Sequence, residues 1–402
     1  MKISPYHGGI LLIAGTCIGA GMLALPVSLA TSGFWLSSFW LFLAWCATCL
    51  SGLYVLEANL SLEENSNFIS MAKSTLGKWG EVVAWITYLL LLYSLMAAYL
   101  SAGGDLVAEA FSKITHLNMH DWINPLPWIL IIGVVIYFGA RVVDGLNRIL
   151  MLGLIIAYFA MVFNAVPEIK MSLIDGGEFG HLMPSLTILA TAFGYHVVIP
   201  SIRTYMHGDV KYLPRVILYG SFIPLIIYLA WNGVVFGTIP IKGPHGLLAI
   251  YQSGHPATGL THAMSQLLGN SALTTITQFF IFFALASSFL GMSFALFDFL
   301  RDGFKVHHTV FGKPIIVLLT FIPPLLYTIF FPQGFILALT YAGVLVAILH
   351  GILPALMVWS VRKHHPSSRY RAPGGYFGLV LILILSVLVI GVRLVYLHNF
   401  AN

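Results

Sequence analysis

Apolar residues run through this chain in long blocks, with most charges gathered in the connections between them. Stretches near the roughly 20 residues that cross a bilayer fall at about 6–30, 34–60, 82–111, 127–140, 147–167, 183–203, 213–238, 267–299, 314–331, 334–360 and 374–397. The pattern predicts an all-α integral membrane protein with eleven transmembrane helices in a single domain, 1–402. The first block outruns the roughly 7–15 apolar residues of a signal peptide, so it is expected to stay as a span.

Two blocks carry interruptions. Gly15-Thr16-Cys17-Ile18-Gly19-Ala20-Gly21 precedes Pro26, and Thr191-Ala192-Phe193-Gly194-Tyr195-His196 precedes Pro200. Glycine and proline both weaken a helix, and a backbone group freed inside lipid has no water to pair with. Breaks are therefore tolerated only where protein or a polar cavity surrounds them. They predict that helices 1 and 6 are broken around a small-solute site near the membrane midplane, as in secondary transporters. The two stand five elements apart, which would give two five-span halves of opposite orientation. These halves would cover about 6–167 and about 183–360, with an extra helix at about 374–397.

Charge fixes the orientation expected of these spans. With the N-terminus inside, fifteen of the nineteen lysines and arginines face the cytoplasm, leaving Lys113, Lys170, Lys242 and Arg393 outside. The positive-inside rule asks for such a bias. Removing the short fourth stretch would leave six inside against thirteen outside, so it is kept and the C-terminus is placed in the periplasm. The net charge of +5 is thus explained by topology, with no nucleic-acid partner. A chain 59% hydrophobic and 8% charged, with mean hydropathy +0.91, cannot cover itself as a soluble domain. Cys17, Cys46 and Cys49 all lie in predicted spans, and the Cys46-x-x-Cys49 spacing lacks the βαβ context of a redox motif. The longest external connection, from Ile239 to Gln266, mixes glycine and proline with apolar patches and reads as a packed lid.

The candidate chemistry sits at the breaks. Free backbone amides around Gly19 and Gly21 suit a carboxylate, because half-helix N-termini carry positive partial charge. Phe193, Gly194, Tyr195 and His196 would border the pocket for the substrate side chain. His196 has two readings: a histidine bonded to a neighbouring helix, or a substrate contact or proton-responsive group. Ser287 and Ser288 in the eighth span either bond back to their own helix or offer hydroxyl oxygens to a small cation. Asp298 lies beside Arg301 and Asp302, where a local ion pair competes with a proton-relay role. Of Tyr88, Tyr93 and Tyr99 in the third span, Tyr99 is the choice to meet a substrate carboxylate. Gly103-Gly104-Asp105 lacks a second membrane aspartate and no HExxH occurs, so an enzyme is not expected. A channel would want polar rings or carbonyl filters along a continuous pore. A b-type haem protein would have to use His196 and His350 as axial ligands.

As a set, these residues resemble the hydroxy and aromatic amino acid permeases. The likeness rests on Gly15-Thr16, Gly19 to Pro26, Leu56-Glu57-Ala58-Asn59, Ala97-Ala98-Tyr99 with Gly103-Gly104, Phe193 to His196 with Pro200-Ser201, and Ser288 to Gly291 through Phe297-Asp298-Phe299. It implies the LeuT-like fold of the amino acid/polyamine/organocation carriers, five plus five inverted spans with one extra. It also implies proton-driven import of an aromatic amino acid, tyrosine foremost, across a bacterial inner membrane without a cofactor. Tryptophan or serine/threonine as substrate, and sodium as coupling ion, stay open. From the resemblance, Thr16 and Ala20 join the substrate site. Gly15 and Ile18 with Ala284, Ser287 and Ser288 would correspond to a cation site, and the coupling proton would reside on His196 or Asp298.

Overall fold

The computed structural model describes residues 4–19, 21–64, 66–117, 120–177, 185–269, 271–304, 312–364 and 369–401. Helices dominate, and no strand occurs among the described residues. In chain order the main ones are α1 (Pro5–Cys17), α2 (Gly21–Ser28), α3 (Gly33–Leu60), α4 (Phe68–Thr115), α5 (Leu126–Phe138), α6 (Ala140–Ala165), α7 (Leu186–Thr191) and α8 (Ile199–Tyr205). Then follow α9 (Leu213–Thr238), α10 (Leu247–Ser253), α11 (Pro256–Leu268), α12 (Ser271–Gly303), α13 (Gly312–Phe330), α14 (Phe335–Val346), α15 (Leu353–His364) and α16 (Gly375–Ala401).

A helical element stands at every predicted block, but the blocks are not equivalent. Nine helices among the described residues are long and apolar enough to cross a membrane, and α1 with α2, bent by 52°, makes a tenth. The expectation of eleven full spans meets its exception at 127–140. There α5 has 13 residues, about 20 Å of helix against a hydrocarbon core of about 30 Å. Two other boundaries also shift. The third block is preceded by a separate helical piece, because Gly77 adopts a left-handed φ of 74° and turns the chain. Leu267 and Leu268, assigned to the eighth span from sequence, close helix α11 of the lid instead.

That lid is folded. Helices α10 and α11 bury Leu247, Ile250, Ala257, Leu260, Ala263 and Met264 against the bundle. Large apolar side chains such as Phe138, Phe163, Phe330 and Phe377 lie exposed on the outer helices, as a lipid-facing surface requires. The buried centre is formed by α2, the α7–α8 region, α9 and the middle of α12, where Met22, Phe193, Tyr228, Trp231 and Ala284 have no exposed surface.

Candidate substrate site between two helix breaks

The first break is short and abrupt. Helix α1 ends at Cys17, Ile18 turns extended (φ −73°, ψ 110°), and α2 starts at Gly21. Ala20, expected in the substrate site, lies outside the described residues. The second break is longer: α7 stops at Thr191, and Ala192 to Tyr195 leave the α-helix. A 3-10 turn, His196–Val198, then leads into α8.

The two breaks meet. A methyl group on Gly21 would lie 3.6 Å from Cα of Ala192. Helix α9 supplies the polar groups that this junction needs. The Tyr228 hydroxyl donates to Cys17 O at 2.5 Å, with Ala192 O a second acceptor at 3.0 Å. One turn on, Trp231 Nε1 donates to Met22 O at 2.5 Å. A buried carbonyl without a partner costs about 1–3 kcal/mol, so one tyrosine serves carbonyls freed by both breaks. Neither residue was singled out from the sequence. Their signal was two aromatic side chains with polar tips, three residues apart in mid-span.

Gly19 organises the other wall. A Cβ at Gly19 would fall 2.7 Å from Ser288 Oγ and 2.8 Å from Tyr99 Oη, so these hydroxyls would have to move to admit one. Three residues chosen separately from spans one, three and eight thus converge on one point. Two hydroxyls thus stand beside the broken helix, and each group can both donate a proton and accept through its lone pairs.

Comparison of the whole sequence gives the family. The tryptophan/tyrosine permease family matches residues 2–393. The chain belongs to that family. It is 32% identical over 392 residues to tyrosine-specific transport system 2 of Haemophilus influenzae, covering 97% of this chain and 96% of the relative. To the tryptophan-specific transport protein of Pseudomonas aeruginosa it is 32% identical over 386 residues, covering 94% and 92%. The low affinity tryptophan permease of Escherichia coli is 31% identical over 391 residues, covering 95% and 93%. The chain is therefore a multi-pass membrane permease of an aromatic amino acid transport family, and not an enzyme.

Other expected site residues of this permease are placed differently. Phe193, Tyr195 and His196 have no exposed surface, so they pack as a wall and border no opening. Phe193 meets Tyr228 edge-on at 5.7 Å. Tyr195 donates to Thr48 O at 3.1 Å and stacks on His196 at 4.8 Å. His196 stacks in turn on His350, with centroids 4.3 Å apart and planes 11° from parallel. His350 lies in a π-helical turn, Ala347–Ile352, at the middle of the tenth block. The two histidines are one unit. All four ring nitrogens are buried, and among the described residues only a weak backbone contact of His196 with Thr48 approaches a hydrogen bond. Because the rings confront each other by their faces, they are not arranged as the two axial ligands of one haem.

Thr16 commits its hydroxyl proton to Ile13 O at 2.8 Å, within α1, and Gly194 sits with His350 Cε1 3.9 Å from where its Cβ would be. Among the cation-site residues, Gly15 faces Met151, with Cε 3.7 Å from the place of a Cβ. Ser287 donates back to Phe283 O at 2.7 Å. Ile18 is partly buried and Ala284 wholly so. Of the two serines, Ser288 is the one whose hydroxyl lies against the first break. Asp298 pairs with Arg301 at 3.1 Å, ten residues and about 15 Å along the helix from Ser288. Its observed partner is therefore the local one.

Proposed function

We propose that this permease imports an aromatic amino acid, tyrosine foremost, across the bacterial inner membrane by proton symport. The observation that carries the reading is Gly19, held between the hydroxyls of Tyr99 and Ser288 where two broken helices meet. Amides of the first break and these hydroxyls would receive the substrate carboxylate. Carbonyls released at the breaks would receive the ammonium group. The aromatic side chain would lie towards Phe193, whose ring and its neighbours must swing to admit it. Moving one positive charge inward through 100 mV yields about 2.3 kcal/mol, enough for roughly fifty-fold accumulation of a zwitterion. Tryptophan is the second reading, because relatives of equal identity are named tyrosine-specific and tryptophan-specific transport proteins.

An eleven-span inverted repeat with the N-terminus inside is part of the same proposal. Parity supports it. Asp121, just before α5, and His255, after α9, line one small pocket. The chain returns to the same face between them only by an even number of crossings. Helices α6, α7 with α8, and α9 make three, so the short α5 supplies the fourth.

Proteoliposome uptake of labelled tyrosine, tryptophan, phenylalanine, serine and threonine, under separately imposed proton and sodium gradients, tests the function. Tyrosine should be accumulated when the proton gradient alone is present. Better competition by serine or threonine than by every aromatic amino acid would overturn the substrate class. A reporter fused after Asn402 that works only in the cytoplasm would overturn the topology.

A further inference from the structure

Away from the breaks, four segments distant in sequence enclose a pocket of about 90 Å³. Asp105 enters it from α4, Asp121 and Asn124 from the turn before α5, His255 from the lid, and Gln333 from the connection after α13. His255 Nδ1 lies 2.8 Å from Asp105 Oδ2, joining residues 150 positions apart. The Asp105 side chain is 15% exposed and that of His255 34%. The carboxylate is thus enclosed, while the imidazole remains open to water.

Charge around the pair is lopsided. Asp121 adds a second carboxylate to the pocket. On the next turn of α4, Glu109 is already engaged by Lys113 at 2.5 Å and by His262 of the lid at 3.8 Å. The α13–α14 connection contributes the neutral Gln333 to the pocket. Among the described residues that line this pocket, His255 is the one side chain able to carry a positive charge beside Asp105 and Asp121. That charge exists only when His255 carries a proton.

We propose that Asp105 and His255 form a proton-binding site that operates the external lid: a proton taken from the outside medium closes it, and loss of the proton releases it. In the closed lid His255 donates Nδ1–H to Asp105. The proton is added to or leaves from Nε2, and no other bond changes. His255 is the N-cap residue of α11 and its side chain meets Asp105, so the pair ties the second lid helix to α4. Asp105 holds the His255 imidazole above its ordinary value through their hydrogen bond. When the lid opens, His255 returns to an imidazole of about 6.5. A group bound more tightly by protons in the closed lid stabilises closure below the open value, and that stabilisation is lost as pH rises through the closed value. The word external rests on the topology proposed above; the latch itself does not.

Hydrogen–deuterium exchange of residues 247–268 in purified protein, corrected for intrinsic exchange, reads the lid directly. Protection should fall by up to about tenfold per pH unit between the open and closed values, as linkage to one proton requires. Asp105→Asn should abolish that pH dependence. His255→Arg, which keeps a cation beside Asp105, should leave protection high and flat across the range. A lid whose protection ignores pH in the wild-type protein, or an Asp105→Asn lid that keeps the wild-type midpoint, overturns the proposal. Tyrosine uptake into proteoliposomes, with inner and outer pH set separately, then assigns the side. Lid exchange that follows pH while uptake responds to the lumenal side overturns the topology and spares the latch. Absence of tyrosine uptake overturns the function and equally spares it.

Discussion

The two ends of the bundle are fastened by different chemistry. At the end holding the C-termini of α3, α8 and α15, the clasps are arginines. Arg362 pairs with Glu57 through Nε–Oε1 at 2.8 Å and Nη2–Oε2 at 2.7 Å, and donates further to Gly375 O and Ala372 O. Glu57 also accepts from Ala372 N at 2.8 Å, and the rings of Tyr54 and Tyr376 flank the guanidinium. Arg203 ties α8 to the end of α3 through Asn59 O, Leu62 O and Glu63 O. At the lid end the clasp is His255 on Asp105. A guanidinium stays charged at any physiological pH, whereas an imidazole changes charge within it. One end is thus closed by a fixed charge and the other by a conditional one. A proton could loosen that end only by reaching the buried Glu57 carboxylate, so its opening is expected to draw on substrate binding or on whole-helix movement.

Stripping one partner from the arginine end should therefore cost most. Glu57→Gln or Arg362→Met leaves a buried group without its counter-charge, and such losses run to about 3–5 kcal/mol. Thermal unfolding of the purified variants should show a large drop. Replacing both residues by leucine should recover much of it, since the penalty comes from the orphaned charge. A loss below about 1 kcal/mol in the single variants would put this pair in the class of surface ion pairs and erase the contrast between the ends.

Next in size is the first break. Gly19→Ala forces a methyl group to within 2.8 Å of two hydroxyl oxygens, whereas Gly21→Ala meets nothing closer than 3.6 Å. Overpacking of this kind costs about 1–3 kcal/mol. Tyrosine affinity should fall roughly tenfold or more in Gly19→Ala, at about 1.4 kcal/mol per decade, and stay near wild type in Gly21→Ala. Equal effects would mean that both glycines serve only helix packing.

How far these features could be read beforehand follows a physical divide. The breaks were legible because glycine and proline inside an apolar block change backbone chemistry locally. Gly19, Tyr99 and Ser288 were chosen singly, and the fold brought them together. Tyr228 and Trp231 were not legible, because an aromatic residue in an apolar helix looks like packing until a freed carbonyl faces it. Asp105 seemed isolated because Asp121 and His255 reach it from connections after different spans. The Glu57–Arg362 clasp joins residues 305 positions apart, beyond any local pattern. His350 looked like a separate membrane histidine and proves to be the stacking partner of His196.

Tyr228→Phe tests the bridge between the breaks. It removes one donor and leaves two buried carbonyls to find other partners, for about 1–3 kcal/mol. The expected result is a lowered unfolding temperature together with slower uptake, because both breaks lean on the same hydroxyl. Lower stability with an unchanged transport rate would confine Tyr228 to a structural role.

The smallest effect concerns the stacked histidines, and it requires a double-mutant cycle because neither residue can serve as a control for the other. Ring pairs in this arrangement contribute about 0.5–1.5 kcal/mol beyond burial, and contacting residues depart from additivity by about 0.5–3 kcal/mol. His196→Ala and His350→Ala should each reduce tyrosine accumulation, and the double variant should lose less than the two losses multiplied together. Counterflow, which exchanges substrate without net proton movement, then separates the roles. Counterflow kept while accumulation is lost would place coupling on the histidine pair; loss of both would place the pair in substrate binding or in the moving wall. The second outcome is expected, because Gly194, Tyr195 and His196 form the break itself, and closure of the lid end already has a titratable group of its own in His255. Strict additivity between the two variants would show that the 4.3 Å stack carries no shared function.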